Sequence, residues 1–296
     1  MIIWRFTDGK AGHEAQSQGL VEALQRRCEV AVFTLPVQRD GTGLIAWLSR
    51  RYRPGAQLPA PDLLVGAGHA THWHLLAARR RYGGRTVLLM KPSLPLSWFD
   101  LCVVPEHDAV APAANVLVTQ GVLNRIRPPD LPRQDTGLVV LGGPSRHCDW
   151  DDASMLEQLD QLVAARPRQR WLLTTSRRTP GTLLQALRDH PAFTCVPCQE
   201  TAPDWLVQQL ATAGEVWVSE DSVSMLYEAL SAGAPVGLLQ VARRGANRVT
   251  AGIDALVARG WVSAPGHWQP AAGPPQPLNE AQRCADWIVE HWLTRC

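Results

Sequence analysis

Glycines and polar side chains with the chemistry of an anion site follow three apolar segments of this chain. Residues 141–146 read Leu-Gly-Gly-Pro-Ser-Arg, residues 174–179 read Thr-Thr-Ser-Arg-Arg-Thr, and residues 219–222 read Ser-Glu-Asp-Ser. Glycine lets a backbone approach a ligand closely, free amides at a helix N-terminus attract an anion, and guanidinium groups donate well to phosphate. None of the segments matches a G-x-G-x-x-G or Walker pattern, so each is weak alone, and together they predict a phosphate site.

A carboxylate further along the chain extends this predicted site towards a nucleotide. An apolar strand at residues 216–218 leads through residues 219–222 into a helix that ends at Gly233, and a second strand follows at residues 236–239. Glu228 lies two turns into that helix, where it suits the two hydroxyls of a ribose; an exposed helix carboxylate is an equally good interpretation. The residues predicted to bind nucleotide or phosphate are Gly142, Gly143, Ser145, Arg146, Ser176, Arg177, Arg178, Ser219, Asp221, Ser222, Ser224 and Glu228.

A second group of candidate residues lies near the start of the chain. The turn at residues 7–14 reads Thr-Asp-Gly-Lys-Ala-Gly-His-Glu, and it follows the first predicted strand. His13 or Glu14 could accept a proton from a hydroxyl, although a polar pair at a helix N-terminus is the alternative. The residues predicted on the acceptor side, from this turn and from a later glycine turn, are Asp8, Gly9, Lys10, Gly12, Gly68 and His69.

Two further patterns resemble metal sites. Asp149-Trp-Asp151 has the D-x-D form of some sugar transferases, but it precedes a helix, where carboxylates are favoured as caps. His69, His72 and His74 would not share one face of a helix that starts near residue 71. We therefore expect no metal site and no tightly bound cofactor.

The candidate residues are positioned by an alternation of strands and helices. Strands at residues 2–6, 29–35, 62–65, 86–90, 101–104 and 115–119 alternate with helical stretches, and a proline-rich linker follows at residues 127–135. The pattern then restarts with strands at residues 138–141, 171–174, 193–196, 216–218 and 236–239. This predicts an α/β fold with two Rossmann-like domains, at residues 1–126 and 137–272, and a terminal helical segment at residues 278–296.

Composition excludes several classes of function. The chain has 296 residues, a net charge of +2, 19% charged residues and 6% aromatics, so we expect neither a disordered chain nor a nucleic-acid partner. The start lacks the pattern of a signal peptide and the seven cysteines lack framework spacing, which is typical of a cytoplasmic protein. Arginines at positions 50, 51, 53 and 79–81 could contact an anionic membrane surface, with solvated faces as the alternative.

Six segments of the chain, in order, resemble a known family. They read WRFTDGKAGHEAQSQGL, FDLCVVPEHD, NVLVTQGVLNRI, LGGPSRH, TTSRRTP and SEDSVSMLYEALSAGAPV, and they are similar to the mitochondrial-fission elongated-mitochondria family. Its plant and bacterial members are regarded as GT-B glycosyltransferases. The resemblance implies two domains facing across a cleft, with the nucleotide sugar held mainly by the second and the terminal helix crossing back to the first. The chain departs from the expected family pattern at His69 and Ala70, where we expect two arginines.

The same resemblance implies roles for particular residues. The turn at Gly142 and Gly143 would approach the diphosphate, and Glu228 would bind the ribose. The expected function is transfer of a sugar from a nucleoside-diphosphate donor to an unidentified acceptor, such as a cell-envelope glycan or lipid, in the cytoplasm or at the periphery of the inner membrane. Two alternatives are a nucleotide-sugar 2-epimerase and a non-catalytic scaffold that binds a protein at a membrane surface, because plant members are linked to recruitment of a dynamin-like protein.

Overall fold

The computed structural model describes residues 1–128, 132–145, 147–245, 248–276 and 278–293, with the backbone alone at residues 248–249. These residues form two compact units. The first contains Met1–Arg125 and the described residues from Glu280 onward, and the second contains Ile126–Asn279. Each unit is built on one parallel sheet flanked by helices, so the predicted α/β class with two Rossmann-like domains is confirmed.

The first unit holds a six-stranded sheet in the order β2-β1-β3-β4-β5-β6. Its strands are β1 (Ile2–Thr7), β2 (Ala31–Pro36), β3 (Leu63–Ala67), β4 (Arg85–Leu89), β5 (Leu101–Pro105) and β6 (Val116–Thr119). Its helices are α1 (Ala11–Gln25), α2 (Thr42–Ser49), α3 (His72–Tyr82) and, from the end of the chain, α9 (Glu280–Trp292).

Alternate residues of this sheet face two separate cores, because successive side chains of a strand point to opposite faces. Ile3 and Val65 belong to a core that includes Leu20 of α1, whereas Trp4 and Leu64 belong to a core on the other face of the sheet. Both faces are therefore covered at the centre of the sheet, which explains why β3 and β5 are continuously apolar and buried.

The terminal helix α9 packs on the first unit, as predicted. Cys284 and Ile288 are fully buried in the same core as α1, and Trp287 and Trp292 pack partly buried against it. Charged groups fix the rim, where Arg27 lies 2.9 Å from Asp286. The first unit is therefore completed by α9, which is distant in sequence from its other elements.

Replacing Ile288 with Ala should destabilise the first unit by about 2–5 kcal/mol, the scale for truncating a large buried aliphatic side chain. The lost contacts join α9 to the core around Leu20, so the urea midpoint should fall. Ile45→Ala is a matched control, because Ile45 is 66% exposed and its truncation should change the midpoint little. Equal midpoints for Ile288→Ala and the parent protein would contradict docking of α9.

The second unit holds a five-stranded sheet in the order β11-β10-β7-β8-β9. Its strands are β7 (Thr136–Val140), β8 (Arg170–Thr174), β9 (Phe193–Val196), β10 (Glu215–Ser219) and β11 (Val236–Leu239). Its helices are α4 (Asp152–Ala165), α5 (Gly181–Arg188), α6 (Trp205–Thr212), α7 (Val223–Ala232) and α8 (Arg248–Ala258). Gly233 ends α7 in the left-handed conformation at φ 71°, as its position before Pro235 predicts.

Two helices were not predicted from the sequence. Helix α2 lies in a stretch that reads as an irregular basic loop, and α8 lies beyond the last predicted strand. Helix α2 is only eight residues long and leaves Ile45 and Leu48 exposed, so it lacks the one-sided periodicity of a packed helix. Among the described helices, none combines the length and apolar character needed to cross a membrane.

Candidate functional site

Each sheet has one point where the strand order reverses, and ligands of open α/β sheets bind at the carboxyl ends of the strands there. In the first sheet the point lies between β1 and β3, since β2 extends the sheet on one side and β4 on the other. In the second sheet it lies between β7 and β10. The predicted turns after these four strands therefore come together in two pairs, one in each unit.

A buried carboxylate orients a histidine at the reversal point of the first sheet. Asp8 follows β1 and its side chain is 3% exposed, and His13 lies in the first turns of α1. His13 Nδ1 donates to Asp8 Oδ2 over 2.9 Å, since an ionised carboxylate can only accept. The neutral ring then keeps a lone pair on Nε2, which is the atom a general base requires.

Gly68 lets the histidine reach this position. Gly68 follows β3, has φ +78°, and a Cβ placed on it would overlap Cε1 of the His13 ring. Any larger residue there would displace the imidazole. The turn after β3 and the turn after β1 thus form one constellation of Asp8, His13 and Gly68, although the sequence pattern did not pair Asp8 with His13.

The other predicted residues of the first unit have different surroundings. Glu14 is half-buried, and its charge acts on Arg5, whose pKa is lowered by burial and partly restored by Glu14 and Glu22. This countercharge role favours His13 over Glu14 as the base. His69 is exposed and meets His72 edge to face at 5.3 Å. Lys10 is exposed, but its backbone N donates to Asp8 Oδ1 over 3.2 Å and its Nζ lies 3.8 Å from Asp8 Oδ2. The remaining predicted residues, Gly9 and Gly12, are exposed around the turn.

The turns at the reversal point of the second sheet bind one another. Gly142 N donates to Ser219 Oγ over 2.8 Å, and Gly143 N donates to Asp221 Oδ2 over 3.0 Å. Ser219 Oγ in turn donates to Asp221 Oδ1 over 2.7 Å. The end of β7 is therefore tied to the end of β10 through side chains that the sequence pattern assigned to phosphate.

Asp221 is a structural carboxylate in this arrangement rather than the phosphate contact predicted for it. Its side chain is fully enclosed, and Arg178 donates to Oδ2 over 2.7 Å. A Cβ on Gly142 would overlap the Asp221 carboxylate, so glycine is required by this packing. A buried negative charge opposes an incoming phosphate, which is why we assign Asp221 a framework role.

Arg178 takes part in the same contacts and also donates to the carbonyl oxygen of Gly143 over 2.6 Å. Its side chain is 41% exposed, so its role towards phosphate stays a prediction.

Two serines serve the same framework. Ser176 Oγ donates to the carbonyl oxygen of Gly142 over 2.9 Å and accepts from Arg178 N. Ser145 Oγ accepts from the backbone of His147 and Cys148 at 3.1 and 3.2 Å. The predicted residue Arg146 lies outside the described residues.

Three predicted groups stay open for a ligand. Arg177 is exposed and forms no ion pair with any described residue. Helix α7 begins after Ser222 without a side-chain cap, so its first amides have no intrahelical acceptor. Ser224 is exposed in that first turn. Together they present positive charge and free donors next to the bound turns.

Glu228 occupies an unusual environment for a helix carboxylate. It is half-buried on α7, and among the described residues it has no hydrogen-bond or ion-pair partner. Burial raises its pKa to about 7, since nothing near it compensates the charge. The interpretation of Glu228 as an exposed surface carboxylate is therefore wrong, and the group has the unsatisfied acceptors that two hydroxyls would fill.

The residues of the two metal-like patterns are engaged in structural contacts. Asp151 accepts from Ser154 N over 3.1 Å and so caps α4, while Asp149 accepts from Arg244 over 2.7 Å. His74 contacts the Tyr52 hydroxyl at 3.2 Å, and burial lowers the pKa of His72 to about 4. In the described part of the chain, no group of three or more His, Cys, Asp or Glu side chains is arranged to hold a metal ion.

One buried ion pair beside the second site was not predicted. Glu220 is 3% exposed and accepts from Arg243 over 2.8 Å. Arg243 also reaches Asp254 of α8 over 2.7 Å, which links the end of β10 to that helix. The acidic residues at 219–222 were the available sequence signal for this ion pair. The partner, Arg243, lies after β11, and no sequence pattern links it to Glu220.

Comparison with solved structures identifies proteins with the same fold. A UDP-GlcNAc 2-epimerase from Neisseria meningitidis, bound to UDP-GlcNAc, is 12% identical over all of both chains, with a TM-score of 0.57. The S. aureus MnaA–UDP structure is 14% identical over 98% of this chain and 96% of that chain, with a TM-score of 0.52. The glycotransferase of kitacinnamycin is 14% identical over 98% of both chains, with a TM-score of 0.53.

These likenesses establish the GT-B type of fold and leave the reaction open. No curated protein sequence matches the chain. At the level of family, residues 11–292 match the family described as Mitochondrial fission ELM1. That match runs from helix α1, which carries His13, to the terminal helix α9. The chain therefore belongs to the Mitochondrial fission ELM1 family.

Proposed function

We propose that this protein transfers a sugar from a nucleoside-diphosphate donor to a hydroxyl of an acceptor. The observation that carries the proposal is the Asp8–His13 pair at the reversal point of the first sheet. A scaffold that only binds a protein has no need for a histidine whose Nδ1 is fixed by a buried carboxylate and whose Nε2 is left as an acceptor. A transferase needs that arrangement to activate a hydroxyl.

In the proposed reaction His13 Nε2 takes the proton of the acceptor hydroxyl. The acceptor oxygen bonds to the anomeric carbon of the donor sugar, and the bond from that carbon to the diphosphate oxygen breaks. The nucleoside diphosphate leaves with the bonding electrons. Asp8 keeps His13 in the tautomer that accepts the proton and stabilises the imidazolium that forms.

We assign donor binding to groups that remain open in the second unit. The two ribose hydroxyls donate to Glu228, and the diphosphate meets the N-terminus of α7 and Arg177. Positive potential at that helix end also stabilises the charge of the departing diphosphate, so the proposal requires no bound metal. The nucleotide sugar acts as a substrate and not as a resident cofactor.

We further propose that the acceptor is a cell-envelope glycan or lipid and that the protein works in the cytoplasm, at the periphery of the inner membrane. The first unit has an exposed surface of apolar and basic side chains, which supports such a position. A nucleic-acid partner is not part of the proposal.

Calorimetric titration with nucleoside diphosphates and nucleotide sugars tests the proposal. Because UDP and UDP-GlcNAc are bound in two structures of similar fold, uridine compounds are the first to try. A ligand at a hundred times its dissociation constant should stabilise the protein by about 2.7 kcal/mol. Free ribose phosphate and the nucleoside are matched controls, and they should give much weaker heats.

Three results would contradict parts of the proposal. If no nucleoside diphosphate or nucleotide sugar gives heat at millimolar concentration, the donor site is wrong. Conversion of a nucleotide sugar to its 2-epimer without an acceptor would replace the transferase with an epimerase. Tight nucleotide binding with no release of diphosphate in any envelope extract would favour the non-catalytic scaffold.

A further inference from the structure

Helix α2 of the first unit exposes two large hydrophobic side chains. Among the described residues, four such side chains are exposed, and two of them, Ile45 at 66% and Leu48 at 63%, are one turn apart on α2. A third, Trp98, is 37% exposed. Leaving these groups in water has a cost that burial against another surface would remove.

Aromatic packing joins Trp98 to α2. The rings of Trp47 and Trp98 stack with centroids 5.7 Å apart, and Trp73 of α3 lies 5.3 Å from Trp47. The guanidinium of Arg80 covers Trp47 at 5.3 Å and donates to its carbonyl oxygen over 3.2 Å. Trp47 therefore anchors α2 to α3 and to Trp98, while Ile45 and Leu48 stay exposed. We call α2 together with Trp98 the platform.

Basic residues surround this platform. Arg50, Arg51 and Arg53 follow α2, are exposed, and form no ion pair with any described residue. Residues 40–100 contain eight basic residues and three acidic ones, Asp40, Asp62 and Asp100. Asp40 accepts from Thr42 at the start of α2, and Asp100 pairs with Arg79. Within the described part of the chain, Arg50, Arg51 and Arg53 therefore carry positive charge that stays unpaired next to α2.

A cavity of about 270 Å³ brings the two chemistries together. Its lining includes Ile45 and Ala46 of α2 and Arg51, Tyr52 and Arg53 of the segment that follows. Apolar groups beside unpaired guanidinium groups match a molecule that has hydrocarbon and phosphate in close succession. Charge complementarity thus favours an anionic phospholipid over a neutral apolar protein segment.

We propose that α2 and the segment that follows it bind the surface of an anionic phospholipid bilayer. Ile45 and Leu48 enter the boundary between headgroups and acyl chains, and Trp98 lies at the level of the headgroups. Arg50, Arg51 and Arg53 bind lipid phosphates. The inference deepens the proposed peripheral location and does not depend on sugar transfer, so vesicle binding and nucleotide binding can fail separately.

Co-sedimentation with vesicles tests this surface. One set of vesicles contains equal parts of phosphatidylcholine and phosphatidylglycerol, and the other contains phosphatidylcholine alone. The full chain should bind the first set and not the second, and added salt should weaken binding. Arg51→Gln with Arg53→Gln should lower affinity about thirtyfold, from about 1 kcal/mol for each basic residue near the surface. Ile45→Ser with Leu48→Ser should lower it by about tenfold or more.

Matched control variants test whether vesicle binding depends on this surface or only on the total charge and apolar area of the protein. Arg168→Gln with Arg170→Gln removes the same charge at the same spacing from exposed positions of the second unit, and Val118→Ser removes a side chain that is 44% exposed. Both should bind vesicles like the parent protein. Equal losses in these controls would overturn the proposal, and so would equal binding to both vesicle types. If the protein bound no vesicles and formed a dimer that Ile45→Ser with Leu48→Ser dissociated, the surface would be assigned to a second copy of the chain.

Discussion

Replacing His13 with Ala should slow release of nucleoside diphosphate from the donor by about a hundredfold to ten-thousandfold, the range for losing a general base. The donor is assigned to the second unit, so its affinity should remain within about twofold of the parent value. Turnover is measured as diphosphate release in the presence of an envelope extract that supplies acceptors, and affinity by calorimetry.

The size of this effect follows from the arrangement around His13. Asp8 fixes Nδ1 over 2.9 Å, and Gly68 provides the space for the ring. Without the imidazole, no other group in the turn has the same orientation, because the charge of Glu14 acts on Arg5. Asp8→Asn should also lower turnover without changing donor affinity, because the amide can present a donor where the carboxylate accepted.

Two controls distinguish loss of the base from damage to the fold. His69→Ala removes an exposed histidine from the turn after β3, and it should turn over like the parent protein. Imidazole in the buffer should partly restore His13→Ala, since it can enter the vacated space and accept the proton. Parent-like turnover of both His13→Ala and Asp8→Asn would show that the base lies elsewhere.

Replacing Glu228 with Gln should weaken binding of a nucleotide sugar by about tenfold to a hundredfold, the scale of hydrogen bonds to a charged acceptor. A nucleotide sugar is the suitable ligand because its diphosphate is a diester and does not titrate near neutral pH. The pKa of Glu228 is about 7 in the free protein, and the ribose hydroxyls favour the ionised form. Parent affinity should therefore rise about tenfold from pH 6 to pH 8, and that of Glu228→Gln should stay nearly constant.

The same pKa predicts a pH dependence of stability with the opposite sign. The pKa of Glu228 is raised from 4.5 to about 7 on folding, so the native state binds more protons than the unfolded state between those values. The protonated group's contribution is fully present below pH 4.5 and is lost as pH rises through 7. Glu228→Gln should therefore become progressively more stable than the parent protein over this range, as measured by urea unfolding of the unliganded chain.

Glu157→Gln is the matched control for both experiments. Glu157 is an exposed carboxylate on α4 of the same unit, so its replacement should change neither affinity nor the pH profile of stability. A Glu228→Gln protein that behaves like Glu157→Gln would remove Glu228 from the donor site. A steep pH profile of stability without any effect on affinity would leave it as a buried group unrelated to ligands.

The order of strands and helices could be predicted from the sequence because it depends on local patterns. Residues 216–239 alone contain the apolar run of β10, the glycine that ends α7 and the second strand β11. Cys284, Ile288 and Trp292 recur at helical spacing in the terminal segment, so the apolar face of a helix there needs a surface to pack on. Helix α2 was missed because its exposed apolar face serves no core, so sequence periodicity does not reveal it.

The partners of the site residues could not be predicted, because they depend on which strands become neighbours. Asp221 and Gly143 are separated by 78 positions, and only the pairing of β7 with β10 brings the carboxylate to the amide. The sequence therefore assigned Asp221 to phosphate, whereas the structure uses it to neutralise Arg178 and bind two turns together. The pairing of β1 with β3 similarly places Gly68 against His13.

Local patterns are enough to place polar turns after the strands, Glu228 on the helix after β10, and His13 next to the glycine turn after β1. Which of these groups remain available depends on tertiary contacts. Burial without a partner raises the pKa of Glu228. Asp221 is paired with Arg178, and a hydrogen bond to Asp8 orients His13. Residue type and spacing are local properties, whereas desolvation and pairing depend on atoms that the fold brings from distant parts of the chain.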